Sequence, residues 1–216
     1  NVALSPAPVC NLPGYSTTEL KNLFNVAVKS FLQSNPSLTK IKFIAKSSNT
    51  NKDNQISNSG AYMVANGETL EIHTVAAEFV FNENCSGMFS YLTNIQSIDF
   101  GNCVNTANVT NMGSMFNNCY ELTSLNVSSF NTANVENMSS MFSYCQKLAS
   151  LDLSSFDFNG VENRGDEHFS QMFYCLGESA AHRPIPVYVT MAGYNVLSKK
   201  SMTGIDNSYA QLVALC

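Results

Sequence analysis

Two apolar spacings alternate along the middle of the chain. In Leu122-x-x-Leu125-x-Val127-x-x-Phe130, apolar and polar residues take turns. That period of two predicts a short strand, with Leu125 and Val127 inward and Ser124, Asn126 and Ser128 outward. Met138, Met141, Phe142, Cys145 and Leu148 are instead spaced i, i+3, i+4, i+7, i+10, which predicts one stripe of an α- or 3₁₀-helix. A polar turn (Ser128-Ser129, Asn131-Thr132-Ala133-Asn134) follows the strand. The whole pattern recurs: Val109–Phe130 and Val135–Phe156 match position by position at a period of 26 residues. A fixed period of this size is the mark of a solenoid, whose units bury their apolar faces only against their neighbours. Its strands would stack in parallel, roughly 4.8 Å apart.

Degenerate copies flank these two. Met88-Phe89, Ile95, Ile98 and Phe100 take the places of Met115-Phe116, Leu122, Leu125 and Val127. A last copy runs from Val161-Glu162-Asn163 to Phe169-Ser-Gln-Met-Phe-Tyr-Cys175, with five extra residues, Arg164-Gly-Asp-Glu-His168. An insertion between repeat landmarks maps to a surface loop. In this alignment Cys119, Cys145 and Cys175 share one position on the apolar stripe.

Outside the repeats the patterning changes. Ser16-x-x-Glu19 reads as a capping box for a helix with Leu20, Leu23, Phe24, Ala27, Val28, Phe31 and Leu32 on one face, ending before Asn35-Pro36. Lys40–Ala45 alternates like a strand, and Ser47–Ser59 is a polar loop expected to be mobile. Gly60–Ala65 and Glu68–His73 flank Asn66-Gly67, a hairpin signal. Ala76–Phe81 reads as another strand. Beyond Leu176, Pro184–Thr190 reads as a strand whose prolines suit an edge. Ala192–Lys199 and Ser208–Leu215 read as short helical or irregular pieces. The expected organisation is an N-terminal α/β cap over 1–80, repeats over 81–176 and a C-terminal cap over 177–216, because a solenoid needs both ends sealed.

The strand pattern matches the LxxLxLxx core of leucine-rich repeats. The run Asn-Val-Thr-Asn-Met-Gly-Ser-Met-Phe-Asn-Asn-Cys (108–119), followed by Leu-Asn-Val-Ser-Ser-Phe-Asn-Thr (125–132), resembles the BspA-like leucine-rich-repeat surface proteins of bacteria. The likeness spans about 81–176 and departs in the last copy, where the insertion replaces the Asn-Met junction. It implies an α/β fold: a short right-handed leucine-rich-repeat solenoid, a parallel strand ladder with short helical returns. It also implies an exported protein of the bacterial cell surface, either anchored as an outer-membrane lipoprotein with its signal removed or secreted, and used in adhesion. It carries over no catalytic residue.

Composition narrows the partners. Charged residues make up 12% of the 216-residue chain, about half the usual share, with Asn, Ser and Thr in their place. A net charge of −5 argues against nucleic acid or an anionic membrane as partner. No run of about 18 apolar residues predicts a membrane span. The opening Asn-Val-Ala-Leu-Ser-Pro-Ala-Pro lacks the charged and apolar regions of a signal peptide and reads as a mature or trimmed start. The seven cysteines are an odd number, so at least one thiol is free or paired between chains. The repeat cysteines read as buried thiols; Cys10, Cys85, Cys103 and Cys216 are the candidates for any disulfide.

Candidate sites are few. Outward strand residues form columns, Ser97, Ser124 and Ser150 beside Asp99, Asn126 and Asp152, an extended polar face of the kind on which solenoids bind proteins. Two acids in a column are too few for calcium. Arg164-Gly165-Asp166 is the tripeptide of integrin ligands, placed in the inserted loop. Tyr91, Tyr120, Tyr144 and Tyr174 could stack on sugars, the basis of an alternative glycan-binding reading. His73, His168 and His182 lack zinc spacing, and there is no phosphate loop or nucleophile elbow. The sequence therefore predicts a non-enzymatic recognition protein without cofactor or metal, its partner a host-matrix or other cell-surface protein.

Overall fold

The computed structural model describes residues 7–48, 53–181, 184–200, 203–205 and 210–215. The chain starts with β1 (Cys10–Asn11), then a small antiparallel hairpin of β2 (Tyr15–Ser16) and β3 (Lys21–Asn22), leading into α1 (Leu23–Ser34). The helix starts later than the capping box suggested. Ser16 Oγ does accept from the Glu19 N–H at 3.1 Å, but the turn it closes joins β2 to β3, with Leu20 left-handed at φ 54°. The helix is capped instead by Asn22, whose Oδ1 accepts from the Asn25 N–H at 3.1 Å.

Next come β4 (Lys40–Ile44) and the hairpin of β5 (Ala61–Asn66) and β6 (Thr69–Thr74), as the sequence indicates. The expected mobile loop lies partly outside the described residues; its later part closes onto the hairpin through a Gln55–Tyr62 bridge. β7 (Phe79–Val80), β8 (Ser97–Asp99), β9 (Val104–Asn105), β10 (Ser124–Leu125) and β11 (Leu151–Asp152) are the short strands of the repeat region. α2 (Asn159–Glu162) precedes the inserted residues, which run into a 3₁₀ turn over Asp166–Phe169. β12 (Ile185–Thr190), α3 (Met191–Leu197) and β13 (Ala210–Leu215) complete the chain. Among the described residues the fold is mixed α/β with four sheets, none closed: β1-β7-β9, β10-β8-β4-β6-β5, β11-β12-β13 and β2-β3.

Two expectations at the C-terminal end change. Residues 210–215 form a strand parallel to β12, not a helical piece. That makes β12 a central strand despite its prolines. Pairing with β11 is confined to Val187 and Tyr188, so the missing N–H of Pro186 falls outside that ladder.

Repeats pair in register by backbone hydrogen bonds. The N–H groups of Met112, Ser114, Phe116 and Asn118 donate to the carbonyls of Asn137, Ser139, Met141 and Ser143 at 2.7–2.9 Å. Cys85, Gly87, Phe89 and Tyr91 donate in the same way to Asn111, Gly113, Met115 and Asn117, and Met138, Ser140, Phe142 and Tyr144 to His168, Ser170, Met172 and Tyr174. The intervening N–H groups close turns: Met115 donates to Met112, Asn117 to Ser114 and Cys119 to Phe116. The stretch expected to be a helical return is thus a run of linked four-residue turns. Its left-handed residues recur every four positions, Ser114 and Asn118, Ser140 and Tyr144, Gln171 and Cys175, which no continuous helix tolerates. Turns of four and a helix of 3.6 bury the same i, i+3, i+4, i+7 positions, so the apolar stripe cannot distinguish them.

Inside, Phe89, Phe116, Phe142 and Phe173 stack face to face with centroids 5.4, 5.7 and 6.3 Å apart and planes within 6°. Buried Thr132 ties repeats together from another side: its hydroxyl donates to the Asp157 carbonyl and accepts from the Asp157 N–H. Thr106 does the same with Asn131.

The first repeat has no earlier repeat to donate to its carbonyls, and the N-terminal cap supplies the donors. The Tyr15 N–H meets the Asn84 carbonyl at 2.9 Å. Asn22 Nδ2 meets the Ser86 carbonyl at 3.1 Å, and Asn25 Nδ2 meets those of Met88 and Ser90 at 3.3 and 3.0 Å. Behind these amides Phe24 packs on Phe43 and Phe89. Asn25→Ala is expected to lower stability by about 1–3 kcal/mol, because one buried and one partly buried carbonyl lose their donor. Asn25→Asp should cost more, as it points a carboxylate at them. Denaturant midpoints of the two variants, with far-UV spectra unchanged, check this.

Candidate recognition surfaces

The outward face of the repeat strands continues into the N-terminal cap. β8 pairs with β10 on one side, Ser97 with Ser124, and with β4 on the other, Lys40 with Ser97 and Lys42 with Asp99. β4 in turn sets Lys42 beside Glu71 of β6. The predicted polar column is therefore headed by charge, Glu71–Lys42–Asp99, one row from the Ser97–Ser124 pair. Lys40 and Lys42 were not legible as site residues, because nothing in the sequence places β4 against the first repeat. The ladder breaks between β10 and β11, where a single Ala149 N–H to Thr123 carbonyl bond crosses at 3.4 Å. Ser150 and Asp152 lie beyond that break, and Asp152 pairs with Tyr188 of β12.

Asp99, Asn126 and Asp152 have a structural task. Each Oδ1 accepts from the N–H two residues on, that of Gly101, Ser128 and Ser154, at 2.9–3.0 Å. Such Asx turns explain why an acid or amide recurs there. Asn105, Asn131 and Asp157 repeat the device at the next corner, and Asn84, Asn111 and Asn137 at the third. The three predicted residues stay exposed together with Ser124 and Ser150.

Farther along the same face His73 sits in a hydrogen-bonded chain. Its Nδ1 lies 2.9 Å from Ser47 Oγ and its Nε2 2.9 Å from Glu71 Oε2, while Asn66 Nδ2 donates to Glu71 Oε1 at 3.0 Å. Tyr62 stacks on the imidazole at 5.4 Å. Burial raises the Glu71 pKa, but the hydrogen bonds from Asn66 and His73 and the charges of His73 and Lys42 outweigh it, leaving the carboxyl below its ordinary value. Glu71-x-His73 on one strand face was a readable signal; Ser47, from a loop, was not.

The inserted loop holds its tripeptide by ion pairs. Arg164 pairs with Glu136, and Asp166 Oδ1 meets Lys200 Nζ at 2.8 Å. Gly165 between them has φ 121°, a conformation that glycine alone adopts readily. Both charges remain about half exposed, at 52% and 46%.

The cysteine column is corrected by one residue. Tyr144 pairs with Tyr174 and Phe142 with Met172, so Cys175 falls at the left-handed position of Tyr144 and Leu176 fills the place of Cys145. The matching Met-Phe and Cys letters hid a deletion inside the last copy. Cys119 and Cys145 do share a position, their thiols donating to the Phe89 and Phe116 carbonyls at 3.1 and 3.2 Å. All six described cysteines are free; Cys216 and His182 lie outside the described residues. Burial pushes the Cys85 and Cys119 thiols up to about 12 and raises Cys145 as well. Among the described residues no helix is long and apolar enough to cross a membrane.

Residues 83–180 match the family described as "Mycoplasma protein of unknown function, DUF285". The match covers nearly the stretch delimited by the repeat pattern. No curated protein and no solved structure matches the chain.

The thiols generate a pH dependence. Because the folded pKa of Cys85 and of Cys119 is raised from 9.0 to about 12, the unfolded chain gives up these protons first as pH rises. Their contribution to stability is full below about pH 9 and declines above it. Denaturant midpoints should be level with respect to these groups at neutral pH and fall at pH 10. Cys119 and Cys145 should resist thiol reagents until the chain unfolds.

Proposed function

We propose that this chain is a non-catalytic recognition module, exported to a bacterial cell surface, that binds another protein through its outward strand face. Its architecture on this reading is a right-handed leucine-rich-repeat solenoid of the BspA-like class, anchored to the surface or secreted. The observation that carries the proposal is the register of β6, β4, β8 and β10, which lines up Glu71, Lys42 and Asp99 in one row and Lys40, Ser97 and Ser124 in the next, on one face shared by cap and repeats. β4 and β8 are each paired with strands on both sides, so a partner meets surface that needs little ordering on binding. Alternating charge along it suits a protein with its own mixed charges better than a uniformly charged polymer. The resemblance to surface proteins supplies the location and the class of partner, a host-matrix or other cell-surface protein.

The full chain should bind saturably to at least one immobilised extracellular-matrix protein. Lys42→Glu and Ser124→Trp, which reverse a charge and block an exposed polar position, should each weaken that binding tenfold or more. Arg164→Ala/Asp166→Ala should leave it unchanged. Loss of binding only in the latter variant moves the site to the inserted loop, and silence across the matrix panel overturns the reading.

A further inference from the structure

We infer that Tyr120, Tyr144 and Tyr174 form a subsite for a neutral carbohydrate, on the turn side of the repeats and distinct from the strand face. The three residues do not share a repeat position. Tyr120 follows Cys119, Tyr144 precedes Cys145, and Tyr174 takes the place of Ser143. Their rings nevertheless converge: the centroids of Tyr120 and Tyr144 are 6.4 Å apart and those of Tyr144 and Tyr174 5.4 Å. The central ring is nearly perpendicular to both neighbours, at 78° and 75°. Each is thus held edge to face by the next, and holding a ring before the ligand arrives reduces the ordering cost of binding. Tyr174 is 42% exposed and the other two are half-buried, so the row presents aromatic surface to solvent. Tyr91 stands apart, with Lys29 Nζ 5.1 Å from its ring.

Polar groups sit beside the row. The Ser179 N–H bonds the Gln146 carbonyl at 2.8 Å and the Gly177 N–H that of Cys145 at 3.1 Å. These bonds bring Glu178 next to Gln146, whose Nε2 donates to Glu178 Oε2 at 2.7 Å. Burial first, then Tyr174, Cys175 and Glu178, hold the Tyr144 phenol above its ordinary pKa. Tyr120 donates from its hydroxyl to Asn118 Oδ1 at 2.6 Å. Aromatic surface with a few fixed amide, carboxylate and phenol groups is the chemistry that recognises a sugar: the rings take the C–H face, and the polar groups take hydroxyls. Glu178 disfavours phosphorylated or sulfated ligands. A proline-rich peptide also docks on aromatics, but a polyproline helix repeats its contacts roughly every 9 Å, wider than the ring-to-ring steps here.

The chain contains nine tyrosines and no tryptophan, so no tryptophan masks tyrosine emission, and the difference between the full chain and its Tyr174→Phe variant isolates the contribution of the row. The full chain should be titrated with neutral oligosaccharides of glucose, galactose, mannose and N-acetylhexosamines, alongside sulfated glycans and a proline-rich peptide. At least one neutral glycan should give saturable binding with a change in tyrosine emission. Tyr174→Ala, an exposed change, should weaken it tenfold or more, while Tyr174→Phe should retain most of it and Lys42→Glu all of it. Tyr144→Ala should abolish binding with the melting temperature checked in parallel. Absence of glycan binding, glycan binding unaffected by Tyr174→Ala, or binding of the peptide alone would each overturn the proposal.

Discussion

The backbone hydrogen bonds from one repeat to the next are what the rest of this structure depends on. Each repeat directs alternate N–H groups to its successor and alternate carbonyls to its predecessor, and the apolar side chains fill the space behind them. Such a ladder is satisfied everywhere except at its ends, where a row of buried backbone groups would lose water without gaining a partner. The N-terminal cap answers that need group by group, with one backbone N–H and two asparagine side chains covering four carbonyls. Two buried asparagines in an apolar cap would otherwise be a liability; here they are the reason the first repeat can begin. Asn22 has a second task, since its oxygen caps the helix that carries Asn25.

The same economy accounts for the unusual composition. Recurring Asn, Asp, Ser and Thr are best understood as corner residues. Asx turns fold each repeat at three places, threonine hydroxyls bridge buried corners, and left-handed residues end each short turn. Little of this polar content is needed to contact a partner, and the recurrence of Asp99, Asn126 and Asp152 reflects turn chemistry before recognition. What distinguishes one surface of the molecule from another is therefore the residues that break the repeat: the lysines contributed by β4, the inserted loop and the irregularly placed tyrosines.

The 26-residue period, the insertion and the hairpin were legible in the sequence, because each depends on local spacing or on self-similarity along the chain; the outer column was legible only within the first copies, since β10 and β11 lie in different sheets. The helical return was misread, since four-residue turns bury the same positions as a helix. The place of Cys175 was misread because matching letters outweighed the register that backbone pairing imposes. The start of α1 was misread because Ser16 forms a local turn indistinguishable in sequence from a capping box.

The sequence by itself determined the apolar core of the repeats and that the units repeat, since that burial follows from apolar period and repetition from direct comparison. Only the tertiary structure decided which elements meet. It set Lys42 beside Asp99, His73 between Ser47 and Glu71, and three tyrosines from different repeat positions in one row. Apart from the Glu71–His73 contact, those encounters join residues separated by tens of positions. They are settled by which strand edge and which terminal carbonyls need a partner, a requirement that exists only once the chain has folded.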